Sequence, residues 1–62
     1  MTEDIAELYL RFMFIIDMAI SVDIETVGLL VLKEYVTGLN IDDKVRGLLN
    51  QIDKRIEYNH SL

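Results

Sequence analysis

Val27-Gly28-Leu29-Leu30-Val31-Leu32 is a run of six residues without a polar side chain. A short apolar run reads either as a buried strand or as the middle of a helix covered on several sides. The rest of the chain supplies no second strand, and an isolated strand leaves its backbone groups unpaired. The run is therefore the centre of a helix, spanning about residues 24–36. Ser21 and Asp23 both offer an N-cap, and Asp23 is the better candidate because Glu25 then falls in the first turn. Gly38 suits the residue after the helix, where a left-handed conformation suits glycine. Gly28 costs about 1 kcal/mol in a helix interior, and close approach of a second helix accounts for it.

Upstream, residues 3–20 read as a first helix. Thr2 is placed to cap it, with Glu3 and Asp4 where the helix dipole favours negative charge. Asp4, Glu7 and Arg11 form one narrow polar stripe, continued by Phe14 and resumed at Asp17. Glu7 and Arg11 stand at i,i+4 in the favourable order. The remaining circumference is apolar, so this helix needs cover on more than one side. Downstream, residues 41–57 show a cleaner pattern. Ile41, Val45, Leu48, Leu49, Ile52 and Ile56 recur at three- and four-residue spacing, opposite a polar side. Asn40 is the expected cap, Asp42 and Arg46 an i,i+4 pair, and residues 59–62 a fraying tail. The fold expected is all-α: three helices in one small bundled domain, 1–58.

The chain has 62 residues, no Cys, no Pro and no Trp, and 52% of it is hydrophobic. One domain is the limit at this length, and neither disulfides nor a thiolate metal site can hold it. Eleven acidic and six basic residues give a net charge of −5, with the excess in residues 1–40 and the last 22 residues balanced. Without a basic cluster the counterion-release term that drives nucleic-acid binding is missing. The start Met1-Thr2-Glu3-Asp4 lacks the positive charge of a secretory signal, and the stretch Ile5 to Ile20 carries Glu7, Arg11 and Asp17. A membrane span needs about 20 mostly apolar residues. The expectation is a cytoplasmic protein that binds neither nucleic acid nor membrane.

The apolar surface exceeds what three helices of this length can hide. A compact three-helix unit gives each helix roughly one inward face, so several of Leu10, Phe14, Met18, Leu29 and Leu32 are left outside. Each large side chain left in water forgoes about 1.5–3 kcal/mol of burial. The sequence therefore predicts a helical homo-oligomer, most simply a two-fold dimer with helix 1 central. A monomer offering the same surface to another protein is the rival. The expected interface is Leu10, Phe14, Asp17, Met18, Leu29 and Leu32. Asp17, between Ile16 and Met18, reads either as an acid at the solvent edge or as a buried one paired with Arg11, Lys33 or a partner's Arg.

Residues that could carry chemistry are few. His60 is the only His and stands two residues from the end, and the serines Ser21 and Ser61 have no His beside them. Asp42-Asp43 suits a helix start, lacks the ligand spacing of a calcium loop, and Gly28, Gly38 and Gly47 build no phosphate loop. No enzyme, cofactor or metal site is expected. A helix-turn-helix reading of the second and third helices meets the acids Asp42, Asp43, Asp53 and Glu57 on the face that would meet phosphates. The function expected is that of a small regulatory or adaptor protein acting through helix-mediated binding. The alternatives are an acidic inhibitor of a nucleic-acid-handling protein, of phage or plasmid type, and a small helical regulator of a signalling phosphoprotein.

Two resemblances bear on this. Ile24-Glu25, Gly38-Leu39-Asn40, Val45, Leu48 and Ile52-Asp53-x-x-Ile56 resemble the helical hairpin of small sporulation phosphatases that act on phosphorylated response regulators. That family's Ser-Gln positions hold Leu49 and Asn50 here, so its chemistry is not implied. Asp23-Ile24-Glu25-Thr26-Val27 and Gly38-Leu39-Asn40 resemble helix starts of the mitotic-spindle-organising small proteins, three-helix modules that bind gamma-tubulin complex subunits. The spacing differs by one residue and that family's Asn-Pro-Glu-Ala run is missing. Each resemblance is mainly one of helix capping.

Overall fold

The computed structural model describes residues 4–62. They form three helices, α1 (Ile5–Met18), α2 (Val22–Thr37) and α3 (Asp43–His60), so the all-α three-helix fold is as the sequence predicts. Thr2 and Glu3 lie outside the described residues. Asp4 caps α1, its carboxylate accepting from the Ala6 N–H at 3.0 Å. The helix ends at Met18, two residues early, because Ala19 turns extended on the way into the next cap. That cap is Ser21 rather than Asp23: Ser21 Oγ accepts from the Ile24 N–H at 3.2 Å. Asp23 thereby gains the first-turn position that the dipole favours.

Asp42, not Asn40, caps α3, with Oδ1 accepting from the Val45 N–H at 2.9 Å. An ionised cap makes the stronger, charge-assisted bond, and it leaves Ile41 outside the helix, half-exposed. Gly38 is not left-handed. Its φ of −78° and ψ of −6° are right-handed, and its N–H bonds to the Tyr35 carbonyl as the last turn tightens. Half of the tail expected at residues 59–62 is helix: α3 runs three residues past Glu57 to take in Asn59 and His60, and Asn59 is buried.

The core joins Leu8 and Phe12 of α1, Leu29, Leu32 and Val36 of α2, and Val45, Leu48, Ile52 and Ile56 of α3. Ile5, Ile15, Ile16, Leu39 and Leu49 close around it. The α2–α3 pair forms the most extensive contact, and α1 lies across both with only two fully buried side chains. Leu29 and Leu32, expected on an outer interface, are core residues, fully or almost fully buried. The outward surface of α2 is instead Val27, Leu30 and Val31.

At Gly28 the Ile15 side chain of α1 packs close against the backbone of α2. A Cβ built on it would lie 2.9 Å from Ile15 Cγ2, a branch methyl on a stiff χ1. Gly47, in contrast, faces open space. Gly47→Ala is expected to gain about 0.5–1 kcal/mol from helix propensity alone, raising Tm by several degrees. Gly28→Ala gains the same propensity but meets an overpacking cost of about 1–3 kcal/mol, so its Tm is expected to fall. Thermal unfolding followed by circular dichroism checks both signs. A higher Tm for Gly28→Ala would contradict the close approach.

Candidate protein-interaction surface

The sequence of α1 places Leu10, Phe14 and Met18 four residues apart, hence along one stripe. The core is reached from the opposite side through Leu8 and Phe12, so the stripe faces outward. Leu10 is 67% exposed and Phe14 and Met18 are each 63% exposed. Asp17 stands beside them and is also exposed, which is the solvent-edge position. Lys33, one of its candidate partners, is paired with Asp53 at 2.8 Å instead. Arg11 donates to Glu7 at 3.1 Å, the i,i+4 pair expected.

On α2, Val27, Val31 and Tyr35 continue the apolar surface at spacings of four residues, all exposed. The two stripes meet in a groove of about 570 Å³. Leu10, Phe14, Ile15, Val31 and Tyr35 line it, Gly28 lies in it, and Glu7 and Arg11 supply its charge. Gly28 deepens the groove because no side chain fills the place where the helices touch. Leu10 also borders a second groove of about 550 Å³ between α1 and α3, lined by Ile5, Tyr9 and Gly47 among others. Leu10 is thus the ridge between two hollows. Of the six expected interface residues, Leu10, Phe14, Asp17 and Met18 share this outer surface.

At the opposite edge of α2, burial produces a polar cluster that no sequence spacing announces. Glu25 and Asn59 are both buried. Arg55 Nε donates to Glu25 Oε1 at 2.6 Å, and its Nη2 to Oε2 at 3.4 Å. Asn59 Nδ2 donates to Glu25 Oε1 at 2.9 Å and to Thr26 Oγ1 at 3.2 Å. Thr26 Oγ1 in turn donates a hydrogen bond to the Val22 carbonyl at 2.8 Å. Arg55 also stands 5.0 Å over the Tyr58 ring, a cation–π arrangement. The Arg55 hydrogen bond holds the Glu25 carboxyl below its usual value, against the upward push of burial, with Asn59 adding to the lowering. Asn59 Oδ1 is buried with no hydrogen-bond partner among the described residues. The cluster is a clasp between α2 and α3, and the Lys33–Asp53 pair is a second, half-exposed one.

Ser21 is occupied as a cap, the Ser61 hydroxyl donates to the Tyr58 carbonyl at 2.7 Å, and His60 is exposed on the last turn of α3. Among the described residues no group of three or more His, Asp or Glu is placed to hold a metal ion. Nor is any described helix long and apolar enough to cross a membrane. No protein-family model, curated protein or solved structure matches the chain.

Proposed function

We propose that this chain is a small non-catalytic regulatory or adaptor protein that works by helix-mediated binding, associating with itself and with a protein target through the α1–α2 surface. The observation that carries the reading is the exposure of Leu10, Phe14 and Met18 along one stripe of α1 beside Val31 and Tyr35 of α2. Contiguous apolar surface of this kind marks interaction sites on soluble proteins. Its surroundings favour protein over lipid: Glu7, Asp17, Asp23 and Glu34 are all exposed, and an anionic membrane surface repels such a rim.

Phe14→Glu tests the reading. The side chain is outside the core, so helix content measured by circular dichroism is expected to remain within about 10% of the parent, surface substitutions costing little stability. Sedimentation equilibrium is expected to show the parent as a dimer at micromolar concentration and the variant as a monomer. A parent that sediments as a monomer across that range removes self-association from the proposal.

A further inference from the structure

The hollow between α1 and α2 is apolar inside and acidic at both edges. Leu10 and Phe14 form one wall, Val31 and Tyr35 the other, and Gly28 between them has no side chain. Arg11 lies three residues before Phe14 and Asp17 three after, so the two stand on opposite sides of it, each by about 60°. Arg11 lines the groove, which puts Asp17 on the outer edge of α1. The same count holds on α2. Tyr35 lines the groove, and Glu34, on the other side of Val31, stands on the outer edge. Asp23 is eleven residues before Glu34, about three turns away on the same side and about 16 Å along the helix.

Asp17, Asp23 and Glu34 are exposed, and none has an ion-pair partner among the described residues. The cations are elsewhere. Lys44, Arg46, Lys54 and Arg55 all belong to α3. Arg11 and Lys33, which remain, are held by Glu7 and Asp53. Three uncompensated acids therefore frame an apolar centre. Resting on the α1–α2 surface as the protein-binding one, we infer that its target presents a basic amphipathic helix. Apolar side chains at three- and four-residue spacing enter the groove, and Lys or Arg on both flanks meet the acids. A helix suits the space because a third helix laid along a two-helix groove continues the ridge-and-groove packing. Two cations about eleven residues apart on one flank reach Asp23 and Glu34 together, and one on the other flank meets Asp17. A second copy is the weaker occupant, since it brings its own Asp17, Asp23 and Glu34 to the seam and like charges disfavour the contact.

Three synthetic peptides of about four helical turns test this. One carries leucine on one face and lysine on the other. The second has glutamate in place of lysine, and the third has the leucine–lysine composition scrambled so that no apolar face forms. Fluorescence anisotropy of the labelled peptides at low salt measures binding. The patterned leucine–lysine peptide is expected to bind at least about tenfold more tightly than either of the others. Asp17→Lys and Glu34→Lys are each expected to weaken it about fivefold, and Phe14→Ala about tenfold. Glu57→Lys makes the same change of net charge on α3 and is expected to alter binding less than about twofold. Circular dichroism checks that each variant keeps its helices. Equal binding of the scrambled peptide reduces the effect to bulk charge and overturns the inference, as does equal binding of the glutamate peptide or equal weakening by Glu57→Lys. A parent chain that dimerises but does not bind the patterned peptide overturns the basic helix and leaves self-association standing. A monomer that binds none of the three overturns both.

Discussion

Arg55→Ala is expected to lower the unfolding free energy by about 3 kcal/mol at pH 7, most of what a core this small provides. Removing one partner of a buried ion pair costs about 3–5 kcal/mol because the other charge is left behind in the interior; Arg55 is partly exposed, so the low end applies. The Glu25 carboxylate would keep only the Asn59 amide. The pH dependence gives the sign. In the parent chain the Glu25 carboxyl titrates below its unfolded value of 4.5. Its contribution is therefore fully present above that value and lost as pH falls through the lowered one. In the Arg55→Ala chain the main lowering influence is gone and burial remains. The deficit is expected to shrink as acid neutralises Glu25. Urea unfolding of both chains between pH 7 and pH 3.5 checks this, and a deficit that stays constant with pH would assign the loss to packing of the Arg55 stem.

Leu29→Ala is expected to be at least as damaging. Leu29 is fully buried at the centre of the core, and such truncations cost about 2–5 kcal/mol through lost burial and the cavity left behind. With a chain of this length providing only roughly 3–5 kcal/mol in total, a substantial unfolded population is expected at 25 °C, seen as lost helical signal in circular dichroism. Phe14→Ala removes a comparable apolar group from the surface and is expected to leave that signal intact. Equal losses for the two substitutions would mean that Phe14 is also part of the core.

The contrast between these leucines and Phe14 is where the sequence stops being readable. In α3 the apolar residues keep to one side, and Val45, Leu48, Ile52 and Ile56 are the buried set that their spacing indicates. In α2 the central run is apolar on every side, so periodicity cannot fix its rotation. Leu29 and Leu32 turned inward, and Val27 and Val31 outward. In α1, Phe14 continues the polar stripe of Glu7 and Arg11, and that position on the helix already places it outside. Caps were readable as chemistry but not as positions. Ser21 and Asp23, or Asn40 and Asp42, are equally suited as capping residues, and the structure uses Ser21 and Asp42, which accept from the Ile24 and Val45 N–H groups. The Glu25–Arg55 pair spans 30 residues, and an acid in a first turn is already accounted for by the dipole. No local signal distinguishes Glu25 from Asp23, its exposed neighbour in that turn.

The lightly anchored position of α1 has a consequence for how the molecule comes apart. Two clasps and most of the core bind α2 to α3, whereas α1 commits only Leu8 and Phe12 fully to the interior. Its amides are therefore expected to exchange with deuterium ahead of the α2–α3 hairpin, as a separate tier of cooperativity. The helix most ready to detach is also the one that carries the adhesive stripe. Whatever engages that stripe then acts as a buttress for the whole fold, and resistance to heat becomes a function of how much of the protein is in the tube.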